Sequence, residues 1–377
     1  MNKFLLIPDS FKGTMSSAQI CRAVGEEIRS VFPDAVIQEI PVADGGEGTV
    51  DAFLTAVGGQ KVTVSCKGPY REDMTGFYGL LPDGTAVVEM AAAAGLPLVG
   101  ENRRADKTTT YGVGQLIAHA VQHGARRVVL GLGGSATNDG GCGCAAALGV
   151  RFFNAEGESF VPVGGTLDQV AAISTAELLP ELKAVPVTAM CDIDNPLCGE
   201  TGASAVFGPQ KGADPAMVKV LDGNLRHMAD IVKRDLGKDV LTLPGGGAAG
   251  GFGAGAVAFL NARLQMGIET VLDLTDFDTA VRDADLVITG EGKLDSQSLR
   301  GKVVIGVARR AKKAGVSVAA LVGASETEIA AAYGEGVCGV FPINPEPKSF
   351  AEVKGDSERN LRFTARNLMH FIRALEG

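Results

Sequence analysis

Apolar runs that end in short loops rich in glycine and acidic or amide side chains recur along this chain, and they constrain its fold most strongly. Six such loops occupy residues 8–13, 43–49, 133–141, 191–196, 244–251 and 290–295. Most of them follow a run of residues that predicts a buried β-strand. Glycine lets the backbone approach a ligand closely, and carboxylate and amide oxygens bind Mg²⁺ or hydroxyl groups. The pattern therefore predicts one cleft for a polar, phosphorylated ligand.

Strand and helix patterns alternate at both ends of the chain. An apolar run at residues 3–7 precedes a capping-box sequence and apolar side chains at helical spacing over 16–31, and a second strand pattern follows at 35–42. The alternation returns late in the chain, with a strand pattern at 285–289 and a helix pattern at 302–314. Strand–helix–strand is the unit of a parallel sheet, so both ends are expected to build one such sheet.

The middle of the chain has a different pattern. Short strand patterns separated by turn residues predict an antiparallel meander over residues 61–90, and residues 168–182 are predicted to be helical. We therefore predict an α/β fold of two domains. Residues 1–62 and 270–377 form a discontinuous, Rossmann-like domain with a doubly wound parallel sheet, and residues 63–269 form an inserted mixed α/β domain. Because ligands bind at the carboxyl ends of such strands and in interdomain clefts, the active site is expected in the cleft between the domains.

Composition argues against several classes of protein. The chain has 377 residues, of which 46% are hydrophobic, so it can bury a core. A net charge of −9, no Trp and no long basic run argue against a nucleic-acid partner. No stretch approaches the length of a membrane span, and the N-terminal apolar run is too short for a signal peptide. Together with seven scattered cysteines, typical of reduced thiols, this predicts a cytoplasmic protein without nucleic-acid or membrane partners.

Two glycine motifs, at residues 131–136 and 245–250, match the dinucleotide fingerprint G-x-G-x-x-[GA]. The first lacks a clear acidic residue at the end of a second strand, and the second does not follow a convincing strand, so a dinucleotide site is disfavoured. Tight turns with close backbone packing are the alternative to a phosphate cradle at each loop. No G-x-x-x-x-G-K-[ST] sequence occurs, which argues against a P-loop enzyme.

Two aspartates and two lysines in these loops are candidates for chemistry. Asp192 and Asp194 share one face if the chain is extended, and such crowded carboxylates favour a Mg²⁺ ligand and a general base. A turn with Asx caps is the alternative. Lys12 and Lys211 lie in glycine-containing loops, where a compact charge suits phosphate or carboxylate, and a solvated surface lysine is the alternative.

Taken together and in this order, the loops resemble the signatures of the bacterial glycerate kinase family of the first type. The segments that carry the resemblance are residues 8–13, 41–49, 131–141, 192–197, 207–213 and 290–295. The resemblance spans nearly the whole chain. It implies ATP- and Mg²⁺-dependent phosphorylation of D-glycerate to 2-phosphoglycerate, with release of ADP, in the catabolism of glucarate, galactarate or glyoxylate. It also implies a two-domain α/β architecture.

For such a kinase, catalysis consists mainly of positioning and charge neutralisation. Lys12 and Asp192 are the expected catalytic residues: Lys12 and Ser10 hold the substrate carboxylate or the transferring phosphoryl group, and Asp192 accepts the hydroxyl proton. Asp194 and Glu291 are expected to bind Mg²⁺, through water where needed. Other expected contacts to substrate hydroxyls or ribose come from Asp44, Asn138 and Asp295. The expected nucleotide-binding residues are Gly133, Gly134, Ser135, Gly245, Gly246, Gly247 and Lys211. These roles are interchangeable from sequence, and Asp44 stays an alternative to Asp192 as the base.

Three other functions stay open from the sequence. A related kinase would give 3-phosphoglycerate, and a nicotinamide-dependent hydroxy-acid dehydrogenase would use the loop that begins at Gly131. A sugar-acid sensor would bind glycerate without turning over ATP. A homodimer is left open as the assembly.

Overall fold

The computed structural model of the protein describes residues 1–43, 45–296, 298–327, 329–346 and 348–376, without the side chain of Arg300. The predicted substrate ligand Asp44 lies outside these residues. Within them, no helix is both long and apolar enough to cross a membrane.

The strands are numbered in chain order. They are β1 (Lys3–Pro8), β2 (Val36–Glu39), β3 (Gln60–Lys67), β4 (Asp73–Leu80), β5 (Thr85–Glu89), β6 (Arg127–Gly131), β7 (Arg151–Phe153), β8 (Ser159–Phe160), β9 (Ala172–Ser174), β10 (Val187–Met190), β11 (Arg263–Gln265), β12 (Leu286–Leu294), β13 (Val318–Ser325) and β14 (Val337–Pro342).

The α-helices are numbered in the same way, and several are single turns. They are α1 (Ser17–Val31), α2 (Thr49–Val57), α3 (Ala91–Ala94), α4 (Leu96–Val99), α5 (Tyr111–Gln122), α6 (Cys142–Ala147), α7 (Ala203–Phe207), α8 (Pro215–Leu236), α9 (Ala248–Leu260), α10 (Gly267–Leu274), α11 (Phe277–Ala280), α12 (Val303–Lys313), α13 (Ala330–Gly334), α14 (Phe350–Val353) and α15 (Ser357–Glu376).

The chain divides into two compact units. The first consists of Met1–Ala43, Thr55–Val57 and Met266–Gly377, and the second of Asp44–Leu54 and Gly58–Gln265. The predicted domain boundaries, which put residues 1–62 and 270–377 in one domain and 63–269 in the other, stay a prediction. The predicted position of the active site between two domains stays a prediction.

The first unit contains a five-stranded sheet in the order β14-β13-β12-β1-β2, in which every pair of neighbouring strands is parallel. From β1 the chain passes through α1 to β2, toward one end of this strand order, and from β12 it passes through α12 to β13, toward the other end. The predicted α/β fold, with a doubly wound parallel sheet built from both ends of the chain, is therefore confirmed. The sheet buries its apolar side chains, among them Phe4, Leu6 and Leu321, against Ile20 and Ile28 of α1.

Helix α1 begins where the sequence predicts. Ser16 is its N-cap, and the Ser16 hydroxyl and the Gln19 side chain form the reciprocal hydrogen bonds of a capping box. Helix α15 packs along α1, and the Arg366 guanidinium donates to the buried Glu27 carboxylate at 2.7 Å. This pairing lowers the pKa of Glu27. The two ends of the chain are thus held together by side chains as well as by the sheet.

The second unit contains a six-stranded sheet in the order β11-β10-β6-β5-β4-β3. Strands β5, β6, β10 and β11 are parallel, whereas β3, β4 and β5 form the predicted antiparallel meander. A three-stranded antiparallel sheet, β8-β7-β9, completes this unit.

Two local predictions differ from the structure. Residues 168–182 are not an α-helix, because β9 in this segment pairs with β7 and the Ile173 N–H donates to the Asp235 carboxylate at 2.8 Å. Tertiary pairing here overrides the helical propensity of an alanine-rich segment. The strand predicted at 285–289 continues to Leu294, because β12 stays paired with β13 as far as Leu294 and Ser325. Glu291 therefore lies within a strand rather than in the loop after it.

Candidate functional site

The first unit brings two of the predicted loops to one edge of its sheet. Strands β1 and β12 are parallel neighbours in which Pro8 pairs with Gly290, and the Asp9 N–H donates to the Gly290 carbonyl at 2.8 Å. The crossovers that leave these two strands run in opposite directions across the sheet. The edge beyond Pro8 and Gly290 is therefore a topological switch point, where open α/β sheets bind ligands.

Ser10 and Lys12 lie at this edge, in the turn that follows β1. The Ser10 N–H donates to the Asp9 carboxylate at 2.7 Å, and Phe11 and Met15 exchange backbone hydrogen bonds of 2.9 and 3.1 Å. These bonds close a tight turn that leaves Ser10 half-buried and Lys12 exposed at its tip. An exposed ammonium group on a constrained turn is placed to meet an anion at this edge.

Glu291 is a buried acid with a raised pKa at this edge. It is 5% exposed, and within the described residues its Oε1 has no hydrogen-bond partner. The pKa of Glu291 is raised to about 7, mainly by burial; Asp9 and Asp295 add to the rise, and the Ser298 hydroxyl and Lys302 oppose it. A buried carboxylate oxygen without a partner is costly unless a proton or a cation relieves it.

The donor set at this edge fits a hydrated cation better than a closed metal cage. The described residues contain no group of three or more His, Cys, Asp or Glu side chains placed to hold a metal ion. Mg²⁺ is commonly held by one or two carboxylates together with water and substrate phosphates. Glu291, with its unpartnered oxygen, fits such a site. Asp295 lies next to it in a turn whose Ser298 N–H donates to the Asp295 carboxylate at 3.2 Å.

The second unit brings two other predicted loops to one edge of its own sheet. Gly131 at the end of β6 pairs with Met190 at the end of β10, so the loops that follow these parallel strands are neighbours. The turn at residues 45–48 joins them, because the Gly133 N–H donates to the Gly45 carbonyl at 2.9 Å. Three of the six sequence loops therefore meet at this edge.

The loop after β6 exposes only its tip. Gly133 is half-buried and Gly134 is exposed, whereas the side chains from Ser135 to Asp139 are buried. The Asp139 carboxylate accepts from the Thr110 N–H (2.8 Å), the Thr110 hydroxyl (2.8 Å) and the Gly143 N–H (3.2 Å). Burial raises the pKa of Asp139, and these donors partly oppose that shift. Asp139 thus holds the loop in place from inside.

Asn138 in this loop is buried, and Lys211, from a later segment of the chain, is buried against the loop. Lys211 is 2% exposed, and its Nζ donates to the Ser135 hydroxyl oxygen and to the Thr137 carbonyl, both at 2.7 Å. Asn138 is fully buried, and its Nδ2 donates to the Ser204 hydroxyl at 3.1 Å. Among the described residues, Asn138 Oδ1 and Thr137 Oγ1 have no hydrogen-bond partner.

The predicted acidic pair follows β10 at the same edge. Asp192 is half-buried and Asp194 is exposed. The segment is held at both ends, since the Cys191 N–H donates to the Gln265 carbonyl at 2.8 Å and the Asn195 amide donates to the Thr201 carbonyl at 2.8 Å. An anchored segment with an accessible carboxylate can position a base against a substrate hydroxyl.

The glycines predicted at 245–247 have a different environment. All three are buried, and the Gly246 and Gly247 N–H groups donate to the carbonyls of Leu243 (2.9 Å) and Asn195 (3.0 Å). These two donors already have partners within the protein. This loop packs beneath the neighbouring loops, and its predicted contact with nucleotide phosphates stays a prediction.

The structure therefore sorts the predicted residues into two sets. Ser10, Lys12, Glu291 and Asp295 lie at the edge of the first sheet. The second unit holds Gly133, Gly134, Ser135, Asn138, Asp192, Asp194, Lys211, Gly245, Gly246 and Gly247.

Sequence reasoning missed three polar residues at these edges: Ser298, Asp139 and Ser204. Asp139 stands next to Asn138 in the loop at residues 133–141 and could have been predicted from its place there. Ser204 carries no local signal, because only long-range packing brings its hydroxyl to Asn138. Ser298 is local, since it bonds Asp295 within one turn, and its place seven residues after Glu291 could have suggested it.

Comparisons with known proteins confirm the family that the loops resemble. The model of the glycerate kinase family matches residues 4–373. A Bacillus cereus protein named glycerate kinase is 45% identical over 368 residues, 97% of each chain. An Escherichia coli protein named glycerate 2-kinase is 42% identical over 368 residues, again 97% of each chain. A crystal structure described as that of a "putative glycerate kinase 2" from Salmonella typhimurium LT2 has a TM-score of 0.87 and 42% identity, covering 100% of this chain and 99% of that one. The chain therefore belongs to the glycerate kinase family.

Proposed function

We propose that this protein transfers the γ-phosphoryl group of ATP to the 2-hydroxyl of D-glycerate, giving 2-phosphoglycerate and ADP. Family membership over nearly the whole chain carries the proposal. The name of the Escherichia coli relative, glycerate 2-kinase, supports the 2-position. The product would enter the catabolism of glucarate, galactarate or glyoxylate.

The groups at the first edge suit the anionic parts of the reaction. Lys12, exposed on its turn, would pair with the glycerate carboxylate or with the transferring phosphoryl group, and Ser10 would donate a hydrogen bond to the same anion. Glu291 would hold Mg²⁺, with Asp295 binding a substrate hydroxyl or the ribose beside it. When bound, Mg²⁺ neutralises phosphate charge that develops during phosphoryl transfer.

The groups at the edge of the second sheet suit nucleotide binding and acceptance of the proton from the glycerate hydroxyl. The exposed tip at Gly134 would present backbone to the phosphates together with Ser135, and Gly133, whose N–H is bonded to the Gly45 carbonyl, would lie beside them. Asp192 would accept the proton of the glycerate hydroxyl as its oxygen bonds to the γ-phosphorus and the bond to the β-phosphate oxygen breaks. Asp194 would bind Mg²⁺ through water.

Four further assignments are kept as parts of this proposal. Asn138, Gly245–247 and Asp44 keep their predicted roles, with Asp44 the alternative base. Lys211 would contribute to nucleotide binding through its hydrogen bonds to the loop after β6.

The nicotinamide-dependent reading has less support. The loop after β6 continues to Gly141 before α6 begins at Cys142. In a dinucleotide fingerprint, the glycine loop opens directly into the helix whose N-terminus receives the pyrophosphate. A kinase with an extended phosphate-binding loop fits this geometry better.

The proposal is tested by incubating the purified protein with ATP, Mg²⁺ and D-glycerate and identifying the product by phosphorus NMR. A 2-phosphoglycerate signal together with ADP is expected. Samples without Mg²⁺, and samples with L-glycerate, control for metal dependence and for stereochemistry.

Other products would change the assignment. A 3-phosphoglycerate signal would keep the kinase and reject the 2-position. Binding of glycerate without ADP formation would favour a sensor. Oxidation of the substrate with NAD⁺ would favour the dehydrogenase.

A further inference from the structure

Lys211 is a buried lysine that forms no ion pair with the described residues. Its Nζ donates to the Ser135 hydroxyl oxygen and the Thr137 carbonyl at 2.7 Å, and no carboxylate among the described residues lies within salt-bridge distance of it. Asp139, whose charge attracts Lys211, already accepts hydrogen bonds from Thr110, Gly141 and Gly143. Burial lowers the pKa of Lys211 to about 7, and attraction to Asp139 only partly opposes this. Charging a buried, unpaired amine is costly, so a protonated Lys211 calls for a compensating anion.

Hydrogen-bond chemistry identifies the group through which that anion is bound. When Lys211 is protonated it has three donors and no acceptor, so Ser135 Oγ then accepts from it. The single hydrogen of the Ser135 hydroxyl is then directed elsewhere, and none of the described residues accepts it. Ser135 adjoins Gly134, the exposed tip of the loop. The hydroxyl hydrogen is therefore available to a ligand at the tip.

Two neighbouring atoms show that the hydrogen bonding of this loop is incomplete. Thr137 Oγ1 and Asn138 Oδ1 are buried and have no partner among the described residues. Native proteins satisfy the large majority of such atoms with protein or ordered water. Three polar side chains thus have unused hydrogen-bonding capacity in the short segment to which Lys211 donates.

We propose that Lys211 is a positioning residue: it fixes the Ser135 hydroxyl so that its hydrogen is donated to an anionic oxygen of a substrate. Lys211 itself stays behind the loop. The anionic oxygen belongs to a nucleotide phosphate or to the glycerate carboxylate. This inference rests on the proposed kinase function and adds a residue that acts without touching the substrate.

The test compares Lys211→Met, Ser135→Ala and the double variant in steady-state kinetics with ATP and D-glycerate varied separately. Lys211→Met is expected to raise the KM for one substrate by about tenfold or more, the size of one lost charge-assisted hydrogen bond. A rise in the KM for ATP identifies a phosphate, and a rise in the KM for glycerate identifies the carboxylate. Because Lys211 acts through Ser135, the double variant is expected to match the worse single variant.

A matched control separates this role from general support of the fold. Lys238 lies in the same unit, and its Nζ donates to the carbonyls of Val257 (2.9 Å) and Ala258 (2.8 Å). Burial lowers its pKa as well. Lys238→Met removes a similar charge and similar hydrogen bonds away from the loop, so it is expected to leave both KM values unchanged.

A second measurement makes the inference independent of turnover. ATP and D-glycerate are titrated separately by calorimetry into wild type, Lys211→Met, Lys211→Arg and Ser135→Ala. The ligand identified by KM is expected to bind about tenfold more weakly to Lys211→Met, with partial recovery in Lys211→Arg. Ser135→Ala, which keeps the lysine, serves as the test if Lys211→Met fails to fold.

Unchanged KM and affinity for both ligands in a folded Lys211→Met variant would overturn the inference while leaving the kinase intact. Multiplicative effects of the two single substitutions would overturn it too, because the residues would then act separately. Failure of the proposed function is a different result, in which wild type forms no phosphoglycerate at all.

Discussion

Replacing Gly250 with Ala tests how the loop at residues 244–251 supports the loop at residues 133–141. Gly250 has φ +67°, and a Cβ added there would lie 2.0 Å from the Thr137 carbonyl oxygen and 2.6 Å from Asn138 Cα. Both contacts are with backbone, so no side chain can rotate away to make room. The Gly140 N–H also donates to the Gly250 carbonyl at 3.1 Å. Gly250→Ala must therefore displace the segment that Lys211 and Ser135 hold in place.

The expected cost follows from two effects. A left-handed conformation costs a non-glycine residue about 1–2 kcal/mol, and inserting a methyl group into a packed interior costs about 1–3 kcal/mol. We therefore expect Gly250→Ala to lower the free energy of unfolding by roughly 2–5 kcal/mol. We also expect a lower kcat/KM, because the displaced backbone includes the Thr137 carbonyl that accepts from Lys211.

Gly223→Ala is the matched control. Gly223 lies inside α8, and a Cβ added there would have no atom within 4 Å. Alanine is favoured over glycine in a helix interior by about 0.5–1 kcal/mol, so this change is expected to stabilise the protein slightly. Urea unfolding followed by far-ultraviolet circular dichroism measures both variants, since the chain has no Trp. Wild-type stability in Gly250→Ala, or equal losses in the two variants, would refute the argument from close packing.

Other changes test the acids and the tip of the loop. Asp192→Asn is expected to lower kcat by about 10²-fold or more with little change in stability, because it removes the proposed base, and near-normal kcat would exclude that role. Gly134→Ala is expected to raise the KM for ATP, because Gly134 (φ +72°) lies at the exposed tip of the loop. The control is Gly124→Ala, which introduces similar backbone strain (φ +91°) in open space away from the tip. Equal KM values for ATP in the two variants would contradict a nucleotide contact at Gly134. Burial raises the pKa of Glu291 from 4.5 to about 7, so the native state keeps a proton that the unfolded chain has lost. Stability of the metal-free protein should therefore fall as pH rises from about 4.5 to 7 and change little from this cause above it. Glu291→Gln should show a weaker dependence over that range in unfolding curves measured with a chelator, and an unchanged slope would show that Glu291 is not the titrating group.

The sequence by itself determined the local elements and the class of the fold. Apolar runs and helical spacing predicted β1, α1 and the return of the parallel pattern near β12, because these signals depend on neighbouring residues. The rule that ligands bind at carboxyl ends of parallel strands then placed Ser10 and Lys12 at an edge of the first sheet. The order of the glycine-rich loops was specific enough to identify the family.

Only the tertiary structure decided how each loop is used. Residues 168–182 contain β9 rather than a helix because β7 supplies a pairing partner that no local pattern reveals. Glu291 belongs to β12 because β13 continues to pair beside it. In both cases a partner distant in sequence sets the conformation.

The same reason explains the candidate site. Lys12 and Lys211 look equivalent in sequence, since both lie in glycine-containing loops, but Lys12 is exposed and Lys211 is 2% exposed beneath Ser135. Burial is the sum of contacts from many segments, so neither spacing nor residue type predicts it at one position. Whether a polar group meets a ligand or supports the residue that does so is therefore decided by packing.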